Sequence, residues 1–246
     1  MNAPLPAPAR ENRPEGRRPG LIERGLIRKM MQPAHVTRVE RLPGPFVIVD
    51  LAGPAVEGAH WGPGQRASLI FDQSLAGRTY TPFGWSRRAD GVRFLFHIHG
   101  KGLASEWAWE VGKGATCGLV GPAASIDPPA AGTARLLFGD ETSIATALSA
   151  GLDETRGRQC VFEADDASGL RQTLAAVGLQ DAHVIARRAD MAHLAEVQPL
   201  LARAGAEDGL ALTGNARSIQ RLHRMRGPSF AVRTKAYWSQ GKSGLT

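Results

Sequence analysis

The chain has 246 residues, 43% of them hydrophobic; that length suits one or two domains of roughly 100–200 residues, and no run approaches the ~20 apolar residues of a membrane-crossing helix. Its net charge of +7 sits at the ends: residues 1–30 hold seven Lys and Arg against three acids, residues 217–246 hold seven against none, and the remainder is left at −4, which excludes a surface wrapped all round by nucleic acid. Two cysteines, Cys117 and Cys160, without C-x-x-C spacing exclude a disulfide scaffold or a cysteine-held iron–sulfur cluster and fit a reduced, cytoplasmic setting.

Residues 1–20 are rich in proline, charge and small side chains and lack the apolar stretch of a secretory signal, so they read as a disordered tail. Leu21 to Met31 follows as a short helix, and residues 1–32 form the first segment. From His35 the hydrophobic period is two; Gly44-Pro45 turns the chain, and Phe46–Leu51 returns as a second strand. Arg66–Asp72, Val92–His99 and Thr116–Val120 are further short β runs, with a helical stretch, Gly100–Val111, among them. The pattern predicts a small antiparallel barrel over roughly residues 33–125.

Past the Pro128–Gly132 linker the grammar changes. Strands are predicted at Ala134–Phe138, Gln159–Glu163, Ala182–Arg187 and Gly209–Thr213. Helices alternate with them at Ile144–Leu152, Leu170–Val177, His193–Ala204 and Ala216–Met225. Such alternation predicts a parallel sheet covered on both faces over residues 132–246. On the last helix Arg217, Arg221 and Arg224 form a solvated stripe opposite Ile219, Leu222 and Met225.

Two segments of the barrel carry chemistry. Arg78, Tyr80 and Thr81 follow the Gly77 turn, and an Arg, an aromatic ring and a hydroxyl at that spacing can serve one flavin: charge for phosphate, a ring for stacking, a hydroxyl for a hydrogen bond. His99-Gly100, then Gly102, Ala104 and Ser105, open a helix whose free N–H groups can receive a pyrophosphate. His97 and His99 share a strand face, but no nearby Cys or carboxylate completes a metal site. In the second half, Gly139, Asp140, Glu141, Thr142 and Ser143 form a turn between strand and helix. There the backbone of Gly139 and the hydroxyls of Thr142 and Ser143 are expected to face a nicotinamide cofactor, with the acids gaining from the helix dipole.

These segments resemble the motifs of the siderophore-interacting proteins, the flavin-dependent ferric-siderophore reductases. Arg78-Thr79-Tyr80-Thr81 is similar to the family's R-x-Y-T flavin motif, and His99-Gly100 with Gly102-Leu103-Ala104-Ser105-Glu106-Trp107-Ala108 to its pyrophosphate-holding segment. Gly139-Asp140-Glu141-Thr142 resembles its GDET loop, and Tyr237-Trp238-x-x-Gly241 its C-terminal YW-x-x-G. Two positions depart from the pattern: Phe83 stands where a second Arg usually follows R-x-Y-T-P, and Leu95 where an acid precedes the His by four residues.

The resemblance implies a ferredoxin-reductase-like fold, an antiparallel six-stranded FAD-binding barrel over residues 33–127 followed by a parallel-sheet NAD(P)-binding α/β domain. It implies bound FAD, NADH or NADPH as electron donor, and a ferric siderophore or another small acceptor as partner, with no nucleic acid, no membrane insertion and a monomeric chain. Catalysis is then borne by the cofactor and no metal is held by the protein. Tyr237 and Trp238 are placed near the flavin, so Arg233, Lys235, Lys242 and Trp238 become candidate contacts for an anionic chelate. The alternatives are an NAD(P)H–flavin oxidoreductase with a non-iron acceptor, a non-catalytic flavin-binding protein and a nucleic-acid-binding protein.

Overall fold

The structure is a computed structural model that describes residues 20–72, 75–85, 91–100, 102–126, 134–151, 159–203, 209–225 and 232–240. After a helix α1 (Leu21–Met30), the antiparallel sheet is built from β1 (Gln32–Arg41), β2 (Phe46–Ala52), β3 (Gln65–Ile70), β4 (Gly77–Tyr80), β5 (Val92–His97) and β6 (Thr116–Ala124). Its order is β4-β3-β6-β1-β2-β5. The two edges then find each other: Phe83, just past β4, exchanges both backbone hydrogen bonds with Arg93 of β5, at 3.0 Å each. Joining β4 to β5 in this way removes unpaired edge groups and turns the sheet into a barrel. The short α2 (Pro54–Glu57) follows β2, and α3 (Leu103–Glu110) fills the connection from β5 to β6.

Successive side chains of a strand point to opposite faces. On β2, Val47, Val49 and Leu51 enter the barrel core with Leu69, Phe94, Phe96 and Leu119. Phe46 and Ile48 point the other way and are nonetheless buried. What covers them is the second sheet: β7 (Ala134–Asp140), β8 (Gln159–Ala164), β9 (His183–Ala186), β10 (Gly209–Asn215) and β11 (Val232–Trp238), all parallel, in the order β11-β10-β7-β8-β9.

Helices α4 (Ile144–Ala150) and α5 (Ala167–Ala176) lie on the barrel side of that sheet. There Ile144, Leu170 and Leu174 pack in one cluster with Phe46, Ile48, Phe83, Leu95 and Ile126. Each such side chain contributes about 1.5–3 kcal/mol on leaving water. Hydrogen bonds reinforce the seam, from Thr173 Oγ1 to the Pro43 carbonyl at 2.6 Å and from the Gly64 N–H to Ser149 Oγ at 3.3 Å. Helices α6 (Gln198–Arg203) and α7 (Ala216–Met225) cover the far face with Leu201, Ile219 and Leu222.

The strand order sets β7 beside β10, so the direction of winding reverses between them. In open α/β sheets the crevice at the carboxyl ends of such strands is where ligands bind.

The antiparallel six-stranded sheet and the parallel second sheet are as predicted, while several boundaries move. β4 and β11 were not expected as strands: β4 is four residues long, and each lies at the end of its sheet's strand order. Helix α5 starts three residues early because Asp166 caps it, accepting the Gly169 N–H at 2.9 Å. The single helix predicted over His193–Ala204 is a 3-10 stretch, Ala192–Val197, followed by α6. Pro199, with no N–H to donate, sits where the second begins. Gly139 and Asp140 belong to β7, and the turn is a 3-10 turn over Glu141–Ser143.

Candidate functional site

The antiparallel bridge Phe83–Arg93, carried back along both chains, sets Tyr80 opposite Phe96, and their ring centroids lie 4.5 Å apart. Trp107 of α3 packs on the same Phe96 at 5.5 Å and on Phe71 at 4.8 Å. Phe96 therefore brings β4 and the start of α3 to one rim of the barrel. Arg78 is exposed there, its Nη1 donating to the Gly77 carbonyl at 2.8 Å. Tyr80 is half-buried, and burial raises its phenol above the ordinary value.

Helix α3 begins at Gly102 with no side-chain cap. A side chain at Gly100 or Gly102 would meet nothing within 4 Å. The first-turn N–H groups thus lack a side-chain cap, the arrangement that receives anionic groups at a helix start. Ala104 is half-buried, Ser105 buried and His99 exposed beside His97, with ring centroids 5.4 Å apart. His97 stacks on Phe46 at 4.8 Å; burial, then its neighbours His99 and Arg187, lower its pKa to about 3, so it is neutral at pH 7.

The second group lies at the carboxyl edge of the parallel sheet. Asp140, fully buried at the end of β7, accepts three hydrogen bonds: from the Thr142 N–H at 2.9 Å, the Thr142 hydroxyl at 2.5 Å and the Trp238 indole N–H at 2.6 Å. Burial is the largest influence on its carboxyl and raises its pKa from 3.8 to about 6, against the lowering by these donors. The Thr142 hydroxyl gives its proton to Asp140, so only its lone pairs are open to a further partner. Ser143 Oγ is buried with no hydrogen-bond partner among the described residues. A side chain at Gly139 would run into Ser143 and into Thr213 Oγ1. Gly214, at φ +92°, leaves room for the Asp140 carboxylate in the same way.

A run of hydroxyls joins the two groups. Thr146 of α4 lies 3.4 Å from Thr81 and 2.7 Å from the Tyr237 hydroxyl, Oγ1 to oxygen in each case. Burial raises the Tyr237 phenol above its ordinary value. On β11, Arg233 is exposed and Lys235 half-buried, and by strand alternation both share the face of Tyr237. Lys242, Gly241 and residues 1–19 lie outside the described residues.

Sequence reasoning missed the densest part of this edge. Glu163, fully buried on β8, accepts from Ser218 Oγ at 2.7 Å and pairs with His193 Nε2 at 2.7 Å. Arg187 binds Glu141 at 2.7 Å and Asp165 at 2.8 Å, and its guanidinium stands 5.8 Å from the Trp238 ring centroid. A charged residue inside the apolar run Cys160-Val161-Phe162-Glu163-Ala164 was the available signal. Among the described residues no group of three or more His, Cys, Asp or Glu is set to hold a metal, and no helix is long and apolar enough to cross a membrane.

Comparison with known proteins agrees with the motifs. Residues 69–126 match the family model described as the siderophore-interacting FAD-binding domain. Among solved structures, a siderophore-interacting protein from Acinetobacter baumannii superposes with a TM-score of 0.67 at 15% identity, over 87% of this chain and 92% of that one. A siderophore utilization protein from T. fusca gives 0.63 at 20% identity, over 88% and 95%. Phthalate dioxygenase reductase, which transfers electrons from pyridine nucleotides to a [2Fe-2S] centre, gives 0.68 at 12%, over 87% and 70%. No curated protein sequence matches. The likeness to siderophore-interacting proteins stated from the motifs is borne out, and the fold is ferredoxin-reductase-like.

Proposed function

We propose that the chain is an FAD-dependent reductase that takes electrons from NADH or NADPH and delivers them to the Fe(III) of a ferric siderophore. The observation that carries this reading is the hydroxyl run Thr81–Thr146–Tyr237, in which three segments distant in sequence converge across the seam between the sheets. In this reading residues 33–127 are the FAD-binding domain and residues 132–246 the nicotinamide-binding one.

The barrel rim fits a flavin dinucleotide on chemical grounds: an exposed Arg, a half-buried ring, and an uncapped helix start beside open glycines. Arg78 would neutralise phosphate, Tyr80 would stack on the isoalloxazine, Thr81 would offer its hydroxyl, and the N–H groups of the Gly102–Ser105 turn, flanked by His99, would take the pyrophosphate. When bound, FAD supplies the redox chemistry, accepting a hydride from the nicotinamide and releasing electrons to iron. The chain holds, orients and shields. The backbone of Gly139 would offer the nicotinamide cofactor a seat at the switch point, joined by the Ser143 hydroxyl, which is fully buried without a partner among the described residues, once it turned outward; Asp140, Glu141 and Thr142 shape the turn from within. Arg233, Lys235, Trp238 and Lys242 would present a cationic, aromatic approach to an anionic chelate, and Fe(II), bound less tightly by hard oxygen donors, could then leave.

Phe83 does not separate iron from other acceptors. It is 5% exposed, lies in the core between the sheets and takes part in barrel closure, so it is not a lost surface charge.

The test is the absorbance spectrum of purified, FAD-supplemented protein before and after anaerobic NADH or NADPH, followed by a ferric siderophore or a neutral quinone. The expected result is a flavin band that bleaches with nucleotide and returns with the chelate. Lys235→Ala with Lys242→Ala should slow the chelate and spare the quinone. A protein that neither retains FAD nor gains thermal stability from it would end the reading; equal losses for both acceptors would transfer it to a non-iron acceptor.

A further inference from the structure

We infer that α1 lies on an anionic lipid surface through its Leu26–Met30 face and so holds the protein peripherally at a membrane. The inference goes beyond the reductase reading and does not depend on flavin binding.

The sequence of α1 sets apolar residues at Ile22, Leu26 and Met30, four positions apart and so on one line of a helix. Arg24, Arg28 and Lys29 and one acid, Glu23, stand among them. In a helix of a globular domain such a line is turned to the core. Here it faces water: Leu26 is 59% exposed and Met30 55%. Among the described residues only one other large hydrophobic side chain is exposed, Trp109, and the Arg41 guanidinium sits over its ring at 4.9 Å. Met30 instead borders an open depression of about 370 Å³ that it shares with Gly58, His60 and Pro122.

The helix is nonetheless anchored. The Met31 N–H donates to the Ile27 carbonyl at 2.7 Å, and β1 begins at the next residue, Gln32, opposite Leu119 of β6. A side chain at Gly118 would run into Met31, which therefore rests on β6. The barrel thus holds out the apolar face of α1 instead of folding over it.

Charge decides what covers that face. Residues 1–30 hold seven Lys and Arg against three acids, whereas residues 31–216 carry a net −4. An anionic surface therefore attracts this end of the chain and repels that body. A narrow apolar line with cationic neighbours suits a lipid interface: the apolar side chains enter the boundary between headgroups and acyl chains, and the cations stay among the phosphates. A nucleic acid would use the charge and leave Leu26 and Met30 in water. A second copy of the chain would set two cationic ends against each other. With ten residues, α1 is long enough to lie along a bilayer and too short to cross one.

The test floats the full chain with vesicles of phosphatidylcholine alone, or with about one-quarter phosphatidylglycerol, at roughly 0.05 and 0.5 M salt. Wild type should float with the anionic vesicles at low salt, stay behind with the neutral ones, and lose about tenfold in partitioning at high salt. Leu26→Glu with Met30→Glu should also cost about tenfold while leaving the melting temperature unchanged, both positions being exposed. A second readout does not need that variant. Leu26→Cys can carry an environment-sensitive dye, selectively because Cys117 and Cys160 are buried. The dye should shift to the blue on anionic vesicles and be quenched by brominated acyl chains.

Absence of binding to anionic vesicles overturns the inference. So does binding that survives the double substitution with an unshifted dye, which would reduce the effect to attraction of the basic segment. Self-association abolished by the double substitution, without vesicle binding, would give the face to a second copy. Vesicle binding that appears only on deleting residues 1–19 would make those residues its cover. Either result overturns the inference. Flavin content, measured on the same samples, bears on the reductase reading alone.

Discussion

The barrel rim and the carboxyl edge of the parallel sheet are tied by one hydroxyl run, yet they are built in opposite ways. At the rim, α3 starts without a side-chain cap and Gly100 and Gly102 border empty space. Along the edge, Asp140, Glu163, Arg187, His193, Ser218 and Trp238 bind one another. The rim leaves polar groups for something else to satisfy, while the edge fixes its own geometry first. Substitutions should therefore separate the two: edge variants lose stability, and rim variants lose affinity while remaining folded.

The largest effect should come from Glu163→Ala. It strands Ser218, His193 and the inner side of Arg187 at once, and removing one partner of a buried ionic group costs about 3–5 kcal/mol. Urea unfolding midpoints would register it; a loss under about 1 kcal/mol, the scale of a single hydrogen bond, would mean the edge is not the rigid partner in the comparison.

Asp140 should give the next largest effect, as a function of pH. Its folded pKa of about 6 stands above the ordinary 3.8, so between those values the folded state holds more protons than the unfolded one. Stability contributed by this group is then greatest below about pH 4, falls as pH rises to about 6 and stays low above it, by roughly 3 kcal/mol in all at about 1.4 kcal/mol per unit. Comparing wild type with Asp140→Asn by thermal melts from pH 4 to 7 should show wild type losing ground with rising pH. A gap that stays constant over that range would contradict the assignment.

One substitution made in both regions sharpens the contrast further. Gly139→Ala drives a methyl group into Ser143 and Thr213 and should cost about 1–3 kcal/mol, as overpacking does. Gly102→Ala meets open space with an extended backbone at φ −179°, so stability should stay within about 0.5 kcal/mol. FAD affinity should fall at least tenfold for Gly102→Ala, read by titration of the apoprotein. Similar stability losses for the two variants would dissolve the distinction.

What could be read from the residues follows the same division. Rim residues speak locally: an Arg, an aromatic and a hydroxyl within four positions, or glycines ahead of a helix, are patterns of neighbours. The fold class was legible for a related reason, since hydrophobic periods of two and of about 3.6 mark strand and helix over short windows. The edge is assembled from afar. Glu163 meets His193 across 30 residues and Ser218 across 55, and each looks ordinary in its own segment. β4 and β11 escaped because none of their residues is fully buried, so little in their sequence has to be apolar. The bond from Thr142 to Asp140 was not legible because Asp140 is held by Trp238 from the far end of the chain.

The double burial of β2 has a consequence for how the protein is made. Phe46 and Ile48, with Leu95 from β5, point out of the barrel toward Ile144, Phe162, Leu170 and Leu174. Those partners are synthesised long after β2. At about 5–20 residues per second, a nascent barrel would stand on the ribosome for several seconds with a bare apolar flank. That flank is a natural landing place for a holdase chaperone during translation. A chain stopped before β7 would keep it permanently uncovered, so the isolated barrel should precipitate as it is expressed, although its own interior is complete.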